Sequence, residues 1–294
     1  MELLLLGGDR RMLFAAQSLK KKGYDTLVGG FEPQEDFEAL RFVKGCAWRG
    51  ALGHCDAAVL PLFTKNSKGR DILRADFFDE ELSAKEIVSL VTPGQTVLAG
   101  LPPRELRQLF FAKGIAVFDY LACQEAAIAN AVPTAQGVLA ILFRELETAV
   151  AGCTICVTGY GRCARALARV LRGIGARVAV AARKRRDLAQ ALAEGCEPIA
   201  LEELADSPRR FDALVNTIPA QCLGEKQLAA LGKACLLIEI AGAPFGIDSQ
   251  AARRLGMHYI LAQGLPGKAA PKTAGLIIAD TVHSILRELR RSAG

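Results

Sequence analysis

The sequence predicts an α/β protein made of two doubly wound, Rossmann-like domains that enclose a cleft and are linked by long helices. Three observations support this fold class. The 294 residues suffice for about two domains, apolar strand-length runs alternate with helical patterns, and residues 152–186 form a complete strand–glycine turn–helix–strand unit. The predicted domains are residues 1–122 and 152–268, joined by a helix at 123–151, with a C-terminal helix at 269–294 that packs back on the first domain.

The N-terminal domain shows a regular alternation of predicted elements. Helices are expected at about 11–22 and 103–113, and strands at 2–6, 24–28, 57–60, 96–99 and 116–118. The first turn, residues 7–10, lacks the full glycine fingerprint, so we expect no second dinucleotide there. A polar loop at 61–80 follows a strand end and is interpreted either as a wall of the substrate site or as a surface loop.

The second domain follows a long helix that begins after residues 130–134 and links the two halves. Its elements are predicted as strands at 154–158, 176–182, 213–216, 236–240 and 259–261, with a helix at 187–194 and an earlier helix that carries the apolar stripe of residues 164–171 and is closed by Gly173 and Gly175. A last helix begins at Pro271 and runs to about Arg290. The alternation indicates a second parallel sheet, with its loops at the carboxyl ends of the strands forming the ligand site.

The glycine turn of this domain predicts a dinucleotide site. Gly159 permits a tight turn, Gly161 lets the backbone approach a pyrophosphate, and Ala164 allows close helix–strand packing. The N-terminus of the following helix favours anions. The residues expected to contact the cofactor here are Gly159, Tyr160, Gly161, Arg162 and Cys163.

The residues after the second strand of the unit indicate which dinucleotide binds. A site for NAD places Asp or Glu there, whereas this chain has Ala182 followed by four cations. Guanidinium groups grip a 2′-phosphate that a carboxylate would repel, so NADP(H) is expected, the alternative being a solvated charged turn. The predicted contacts are Arg183, Lys184 and Arg185.

Two later loops complete the predicted cofactor site at the carboxyl edge of the sheet. The loop after strand 213–216 is expected to pass beside the nicotinamide ribose, and the loop after strand 259–261 is expected to converge on the same cleft. Their candidate residues are Asn216, Thr217, Ile218 and Pro219, and Gly264, Leu265 and Pro266.

Composition excludes several other classes of protein. The net charge of +6 is scattered and no aromatic residues interleave with the cations, so nucleic acid is not an expected partner. No signal peptide or run of about 20 apolar residues is present, which predicts no membrane association. Nine cysteines without a framework spacing indicate a reduced, cytoplasmic protein, and the three histidines lie outside any ligand spacing, so no metal is predicted.

The motifs together resemble the family of the dipicolinate synthase A subunit over essentially the whole chain. They are residues 7–10, 132–134, 159–164, 216–219 and 264–275, of which the last is the most specific. Residues 241–246 depart from the family's more usual Ser-x-Pro-Gly-Gly, and Ala164 replaces a glycine. The first departure puts in doubt any substrate contact carried over from that loop.

The resemblance implies an NADP-dependent oxidoreductase of dipicolinate biosynthesis, in the mother-cell cytoplasm of a spore-forming bacterium. With the flavoprotein-like B subunit of the synthase, such a protein converts a tetrahydro- or dihydrodipicolinate from the lysine pathway into dipicolinic acid during sporulation. Whether the hydride leaves to NADP or to a partner flavin, which step this subunit performs and whether it forms a homo-oligomer are left open.

A dicarboxylate substrate calls for cations and N–H donors on the second wall of the cleft. Lys272, with Thr273 beside it at the start of the last helix, is the first candidate, and Arg10, Asn130 and Thr134 complete the set. The alternatives are a solvated lysine and residues that cap the helix.

Two other functions are alternatives to this one. A two-domain 2-hydroxyacid dehydrogenase places a histidine in the loop before its last helix, and residues 264–271 contain none. A non-catalytic NADPH-binding scaffold or regulatory subunit remains open, because a cofactor site does not prove turnover. No general base is identified.

Overall fold

The computed structural model describes residues 1–76, 81–206 and 210–293, which form two compact units. Unit 1 comprises residues 1–130 and the C-terminal residues from 271 onward, and unit 2 comprises residues 131–270. The chain therefore leaves unit 1 once and returns to it for its last helix.

Eleven α-helices occur in the described ranges, together with short 3-10 helices at Glu35–Phe37, Gly45–Ala47 and Leu201–Asp206. The α-helices are Arg10–Lys21 (α1), Trp48–His54 (α2), Ala84–Leu90 (α3), Arg104–Ala112 (α4), Gln124–Glu145 (α5), Arg162–Gly173 (α6), Arg185–Ala193 (α7), Glu225–Leu231 (α8), Ser249–Arg254 (α9), Leu265–Ala269 (α10) and Pro271–Ala293 (α11).

Unit 1 is built on an eight-stranded sheet. Its strands are Glu2–Leu6 (β1), Asp25–Gly29 (β2), Arg41–Val43 (β3), Ala57–Lys65 (β4), Asp71–Leu73 (β5), Leu82–Ser83 (β6), Thr96–Gly100 (β7) and Ala116–Asp119 (β8). Six of them run parallel in the order β3-β2-β1-β4-β7-β8. β5 pairs antiparallel with the far end of β4, and β6 pairs antiparallel with β5. Side chains of α1 and α11 cover one face, and those of α2, α3 and α4 cover the other.

Unit 2 is built on a six-stranded, fully parallel sheet. Its strands are Thr154–Thr158 (β9), Arg177–Ala182 (β10), Glu197–Ala200 (β11), Ala213–Asn216 (β12), Leu236–Glu239 (β13) and Tyr259–Leu261 (β14), in the order β11-β10-β9-β12-β13-β14. α5, α6 and α7 contribute to the core on one face, and α8 and α9 to the core on the other. The two parallel sheets thus share the strand order 3-2-1-4-5-6 of doubly wound dinucleotide-binding domains, which confirms the predicted fold class.

Helix α5 begins at Gln124, close to the predicted linker bound at 123 but ahead of the other predicted start, after residues 130–134. Residues 130–134 are predicted to precede it, but they lie inside it, with Pro133 in its interior. Asn130 and Thr134 are therefore not caps of a following helix. A proline at this position removes one backbone donor, yet Ala131, Pro133 and Ala135 are buried, and burial of the apolar face outweighs that loss.

By length and composition α5 is also the one described helix that could cross a membrane. Of its most apolar 18-residue window, 44% is buried within the structure, a pattern that the core helix of a folded domain shows as well.

The loop predicted at 61–80 is largely a hairpin. β4 continues to Lys65, beyond the parallel sheet, and returns through β5, while residues 77–80 lie outside the described ranges. The segment after β5 then crosses the carboxyl edge of the sheet, where Gly8 pairs with Ala75. The hairpin therefore covers the first turn of unit 1.

The last helix packs tightly against the first. A Cβ atom on Gly275 of α11 would overlap the backbone oxygen of Arg11 and would lie 2.7 Å from Cβ of Phe14 in α1. Buried small and apolar side chains continue this contact along α11, namely Ala274, Ile278, Ala279 and Val282. In the signature segment 271–275, Ala274 and Gly275 thus serve helix packing.

Candidate dinucleotide site

The glycine turn of unit 2 has the conformation that its fingerprint predicts. Gly159 has a φ of +78°, and its N–H donates to the carbonyl oxygen of Ala181 at 2.8 Å. A Cβ here would lie 2.9 Å from Oγ1 of Thr217 and 3.0 Å from Cγ1 of Ile218. Glycine is required at this position both for its backbone conformation and for the close approach of the loop after β12.

The N-terminus of α6 is left without a side-chain cap. Gly161 is the N-cap residue, its φ and ψ are −79° and −167°, and no side chain of the described residues caps the helix. A Cβ at Gly161 would meet nothing within 4 Å among the described atoms. The turn therefore offers backbone donors and a free approach to an anion, as a pyrophosphate site requires.

Tyr160 lies between the two glycines but its side chain points away from the turn's free edge. The ring is buried, and the hydroxyl donates to Oε2 of Glu194 at 2.7 Å. Arg165 donates to the other carboxylate oxygen at 2.8 Å. Burial and the bond to Glu194 raise the pKa of Tyr160 above its ordinary value. The residue anchors the turn to α6 and α7, and only its backbone faces the predicted phosphate site.

The cation run follows directly on the end of β10. Ala182 is buried, Arg183 and Lys184 are exposed, and Arg185 begins α7 rather than preceding a helix at 187. Within the described ranges, no carboxylate forms an ion pair with any of these three cations. They therefore retain their donors at the place where a dinucleotide's adenosine ribose lies in sheets of this order.

A buried polar network ties together the ends of three neighbouring strands. Thr158, Asn216 and Glu239 are the last residues of β9, β12 and β13; they face one another in register and have no exposed surface. Oγ1 of Thr158 donates to Oδ1 of Asn216 at 2.5 Å, and Nδ2 of Asn216 donates to Oε1 of Glu239 at 2.7 Å. Asn216 also exchanges two bonds with the backbone of Ile218. Its side chain is fully used within the protein, so it positions the loop after β12.

Glu239 is satisfied entirely by N–H donors. Besides Asn216, the amide of Ala241 donates to Oε1 at 3.0 Å. The amides of Gly246 and Ile247 donate to Oε2 at 2.8 and 2.9 Å. The carboxylate thus pins the loop 241–247 as well as the loop after β12. With burial, its charge also raises the pKa of the Cys222 thiol to about 11.

The remaining predicted cofactor residues differ in burial and in whether their side chains are already used within the protein. Thr217 donates to the backbone oxygen of Thr158 at 2.7 Å, and Pro219 is exposed. Gly264 has a φ of +69° and caps α10, and Pro266 is half-buried in that helix. Leu265 is buried in the core, where a Cβ on Gly137 of α5 would come within 2.8 Å of it. The Leu265 side chain therefore packs against α5. At the start of α6, Cys163 is half-buried, and burial raises the pKa of its thiol.

The equivalent turn of unit 1 is closed by the protein itself. Asp9 is the N-cap of α1 and accepts from the amide of Arg11 at 3.0 Å. The Arg11 guanidinium also donates to Oδ2 of Asp9 at 2.8 Å, and the Arg74 guanidinium lies 3.6 Å from the same oxygen. Burial alone would raise the pKa of Asp9, but the bonds and charges of the two arginines lower it below 3.8. The amide of Gly8 donates to the carbonyl oxygen of Arg74 at 2.5 Å.

The predicted substrate residues are distributed along α1, α5 and α11. Arg10 is exposed, pairs with Asp36 at 2.5 Å and stacks over Phe14. Lys272 and Thr273 are exposed in the first turn of α11, close to the contact of Gly275 with Arg11. This contact brings the starts of α1 and α11 to the same edge of unit 1.

Asn130 and Thr134 are half-buried and share one face of α5, four residues apart. Asn130 belongs to unit 1 and Thr134 to unit 2. The predicted cleft and the role of these two residues in it stay predictions.

The histidines take no part in this site. His258 precedes β14, opposite the carboxyl edge, and lies 3.6 Å from Glu145, while His283 contacts the hydroxyl of Tyr24 from inside α11. His54 bonds to the carbonyl oxygen of Gly50. In the described parts of the chain, no cluster of three or more His, Cys, Asp or Glu side chains could hold a metal ion.

Sequence reasoning missed Glu239, Asp9 and Arg74. Glu239 sits in an otherwise apolar strand, and a lone carboxylate between Ile238 and Ile240 was the available signal. Asp9 matches the N-cap preference for aspartate at a helix start. Arg74 reaches Asp9 only through the antiparallel hairpin, which no local pattern predicts.

Known proteins match both halves of the chain. Residues 2–121 match the family model for the N-terminal domain of the dipicolinate synthase A subunit. Residues 139–251 match the NAD binding domain of D-isomer specific 2-hydroxyacid dehydrogenases. The dipicolinate synthase A subunit of Bacillus subtilis (strain 168) is 28% identical over all of this chain and 98% of its own length.

Solved structures agree with these matches. The dipicolinate synthase A subunit from Bacillus halodurans is 28% identical, with a TM-score of 0.86 over 97% of each chain. The corresponding Bacillus subtilis structure is 26% identical, with a TM-score of 0.85 over 99% of this chain and 97% of its own. D-lactate dehydrogenase from Escherichia coli is 15% identical over 99% of this chain and 97% of its own, with a TM-score of 0.62, and shows a shared fold alone.

Proposed function

We propose that the chain is the NADP(H)-binding catalytic subunit of a dipicolinate synthase. Its N-terminal domain, a full-length relative and two solved structures all match the dipicolinate synthase A subunit. Its reaction is the oxidation of a tetrahydro- or dihydrodipicolinate to the aromatic dicarboxylate in the cytoplasm of a sporulating mother cell. The observation that carries the proposal is the uncapped glycine turn of unit 2, followed at the end of β10 by three cations that form no ion pair within the described ranges.

The choice of NADP(H) rests on charge. A 2′-phosphate near Arg183, Lys184 and Arg185 gains charge-assisted hydrogen bonds, while Ala182 supplies no carboxylate to repel it. We expect NADPH to bind at least about tenfold more tightly than NADH. Titration of the purified chain with each reduced cofactor, followed by nicotinamide fluorescence, measures both dissociation constants. Equal affinity or a preference for NADH would contradict the assignment.

The dicarboxylate is proposed to bind at the edge of unit 1 where α1 and α11 begin. Lys272 is exposed at a helix N-terminus, and Arg10 is exposed at the same edge although paired with Asp36. In the described part of the chain, Lys272 forms no ion pair, so its ammonium is the more available cation. Lys272→Ala is expected to weaken dipicolinate binding about tenfold and to leave NADPH binding within about twofold.

A matched control separates binding from structure in that test. Lys268 in the last turn of α10 is also an exposed lysine, and Lys268→Ala should leave the binding of both ligands unaffected. Loss of NADPH binding together with dipicolinate binding in Lys272→Ala would show that Lys272 supports the fold and does not bind the substrate.

The chemistry needs one hydride and one proton to leave the dihydro compound. A bound nicotinamide would supply the acceptor for the hydride. The chain's own contribution is to bind and orient the substrate and to exclude solvent water from it. The absence of a histidine at the carboxyl edge in the described residues argues against the hydroxyacid dehydrogenase reaction, whose base would be a histidine of the 264–271 loop.

The decisive experiment combines the chain with the flavoprotein-like partner of the synthase, NADP+ and freshly generated lysine-pathway dihydropyridine, and follows pyridine absorbance. We expect formation with the wild-type chain and none with Gly161→Asp, which closes the phosphate turn. Formation without this chain, or undiminished formation with Gly161→Asp, would instead favour a scaffold or regulatory subunit.

A further inference from the structure

Glu239 is a buried charge that the proposed reaction does not otherwise use. It ends β13, has no exposed surface, and no Lys or Arg in the described ranges pairs with it. A carboxylate in such a place destabilises the folded state unless hydrogen bonds satisfy its oxygens. An apolar side chain at this position would avoid that desolvation penalty. Its presence therefore calls for a role beyond packing.

The contacts of Glu239 require the ionised form. All four of its partners are N–H donors, from the Asn216 side chain and from the amides of Ala241, Gly246 and Ile247. A protonated carboxyl needs an acceptor for its own proton, and none of these groups is one. The site consequently carries a full negative charge in a dry, low-dielectric environment.

The strand order defines which half of a dinucleotide lies above this charge. Sheets with the order 3-2-1-4-5-6 bind their ligand across the switch point, which here falls between β9 and β12. The glycine turn at β9 and the cations after β10 take the pyrophosphate and the adenosine ribose. The nicotinamide half then extends over the ends of β12 and β13, the strands that Asn216 and Glu239 terminate.

We propose that Glu239 is a positioning and electrostatic residue that favours the oxidised over the reduced nicotinamide in this site. The inference rests on the proposed NADP(H) function. A nicotinamide ring is neutral when reduced and carries one positive charge after it loses a hydride, whereas the phosphates are the same in both forms. A nearby fixed negative charge thus stabilises the oxidised form selectively, which strengthens the binding of NADP+, the hydride acceptor, relative to that of its reduced product NADPH.

The test is the ratio of the NADP+ and NADPH dissociation constants, measured by fluorescence titration and by competition. Glu239→Gln removes the charge and nearly keeps the volume of the side chain. We expect the preference for NADP+ over NADPH to fall about three- to tenfold, because only the oxidised ring senses the charge. Thr158→Val is the matched control, since it opens the same network without changing its charge and should leave the ratio within about twofold.

A second variant restores the charge at the neighbouring position. In the double variant Glu239→Gln/Asn216→Asp, the carboxylate moves to β12 while the pair keeps an N–H donor between the two side chains. The ratio should return to within about threefold of the wild type. If Glu239→Gln fails to fold, this double variant decides, because loss of the wild-type ratio in it overturns the proposal.

Two outcomes of the titrations have separate meanings. If the wild-type chain binds neither NADP+ nor NADPH, or prefers NADH, the proposed function fails. If the wild-type chain binds both forms but Glu239→Gln leaves their ratio unchanged, or Thr158→Val shifts it equally, the electrostatic role of Glu239 is overturned and the proposed function stands.

Discussion

The first turn of unit 1 and the glycine turn of unit 2 have nearly the same backbone but opposite chemistry. Asp9 and Gly161 are both N-cap residues in extended conformations, with φ and ψ of −110° and −173° for the first and −79° and −167° for the second. Asp9 fills the anion position of α1 with its own carboxylate, whereas Gly161 leaves that of α6 free. The N-cap side chain is therefore one of the differences between the closed turn and the candidate ligand site.

The hairpin of unit 1 reinforces this difference. The N–H of Gly8 is used by Arg74 and its carbonyl oxygen accepts from Asp76, so the turn has no free edge. In its described residues, unit 2 has no hairpin over the turn between β9 and α6. The Tyr160 hydroxyl donates to Glu194 and so holds this turn in place. The same strand order thus supports binding only where the donors at the helix start remain unpaired.

The largest expected effect comes from making the second turn resemble the first. Gly161→Asp should raise the NADPH dissociation constant at least about 100-fold, because the new carboxylate caps α6 and repels the pyrophosphate. The variant should fold normally, since a Cβ at this position meets no described atom. Titration and a thermal melt test both points.

Gly161→Ala is the control, because it adds a Cβ without a charge and should weaken binding far less. A Gly161→Asp variant that binds NADPH within about tenfold of the wild type would show that the helix start is not the phosphate site.

The reverse change, in unit 1, should cost stability without affecting NADPH binding. Asp9→Ala removes the cap of α1 and leaves Arg11 without its partner, so the free energy of unfolding should fall by about 1–3 kcal/mol. The folded-state pKa of Asp9 lies below 3.8, so its contribution is present above about pH 4 and is lost as the pH falls through the lower, folded value. Denaturant unfolding at pH 7 and at successively lower pH measures the difference in the free energy of unfolding between the wild type and Asp9→Ala, which should shrink as the pH falls.

Asp9→Gly provides the sharper version of this test. It gives unit 1 a glycine at the N-cap, yet the hairpin still occupies Gly8, so the stoichiometry of NADPH binding should stay at one per chain. Appearance of a second site would mean that Asp9 alone closes the turn.

A smaller effect is expected where the two units differ after their second strands. Removing two of the cations with Arg183→Ala/Arg185→Ala should weaken NADPH about tenfold, close to 1.4 kcal/mol, and leave NADH within about threefold. Arg186→Ala, one residue further along α7, is the matched control. An equal loss for NADPH and NADH would contradict recognition of the 2′-phosphate.

The smallest effect concerns the anchor of the open turn. Tyr160→Phe removes the bond to Glu194 and should lower stability by about 0.5–1.5 kcal/mol, with NADPH affinity within about threefold. Tyr259→Phe removes a hydroxyl that has no hydrogen bond among the described residues and should change stability less. A larger loss of affinity in Tyr160→Phe than in Arg183→Ala/Arg185→Ala would assign Tyr160 a direct role.

The regular parts of both sheets could be predicted because their signals are local. The strands at Glu2–Leu6, Thr154–Thr158, Ala213–Asn216 and Tyr259–Leu261 agree with the predicted bounds, since each is a short apolar run between turns. The continuation of α5 through residues 130–134 could not be predicted in this way. Pro133 is a strong local signal for a helix boundary, and it is overridden by burial that local sequence does not reveal.

In the candidate site, too, the features with local sequence signals could be predicted and the contacts between distant segments could not. The glycine turn and the cation run are contiguous in sequence, and their placement follows from one strand–turn–helix unit. Asn216 is predicted as a cofactor contact, but its bonds to Thr158 and Glu239 depend on strands brought together by the sheet. Contacts made across strands, like that of Arg74 with Asp9, need the topology before they can be inferred.

The return of α11 to unit 1 has a consequence for the order in which the chain acquires its structure during synthesis. Unit 2 is continuous, so all of its residues have emerged once the ribosome has passed well beyond residue 270. Unit 1 must wait for the small residues of α11 that fit against α1, although its first strand is made first. The proposed cofactor domain can therefore be complete while its N-terminal neighbour is still unfinished, the reverse of the usual N-terminal-first sequence of cotranslational folding.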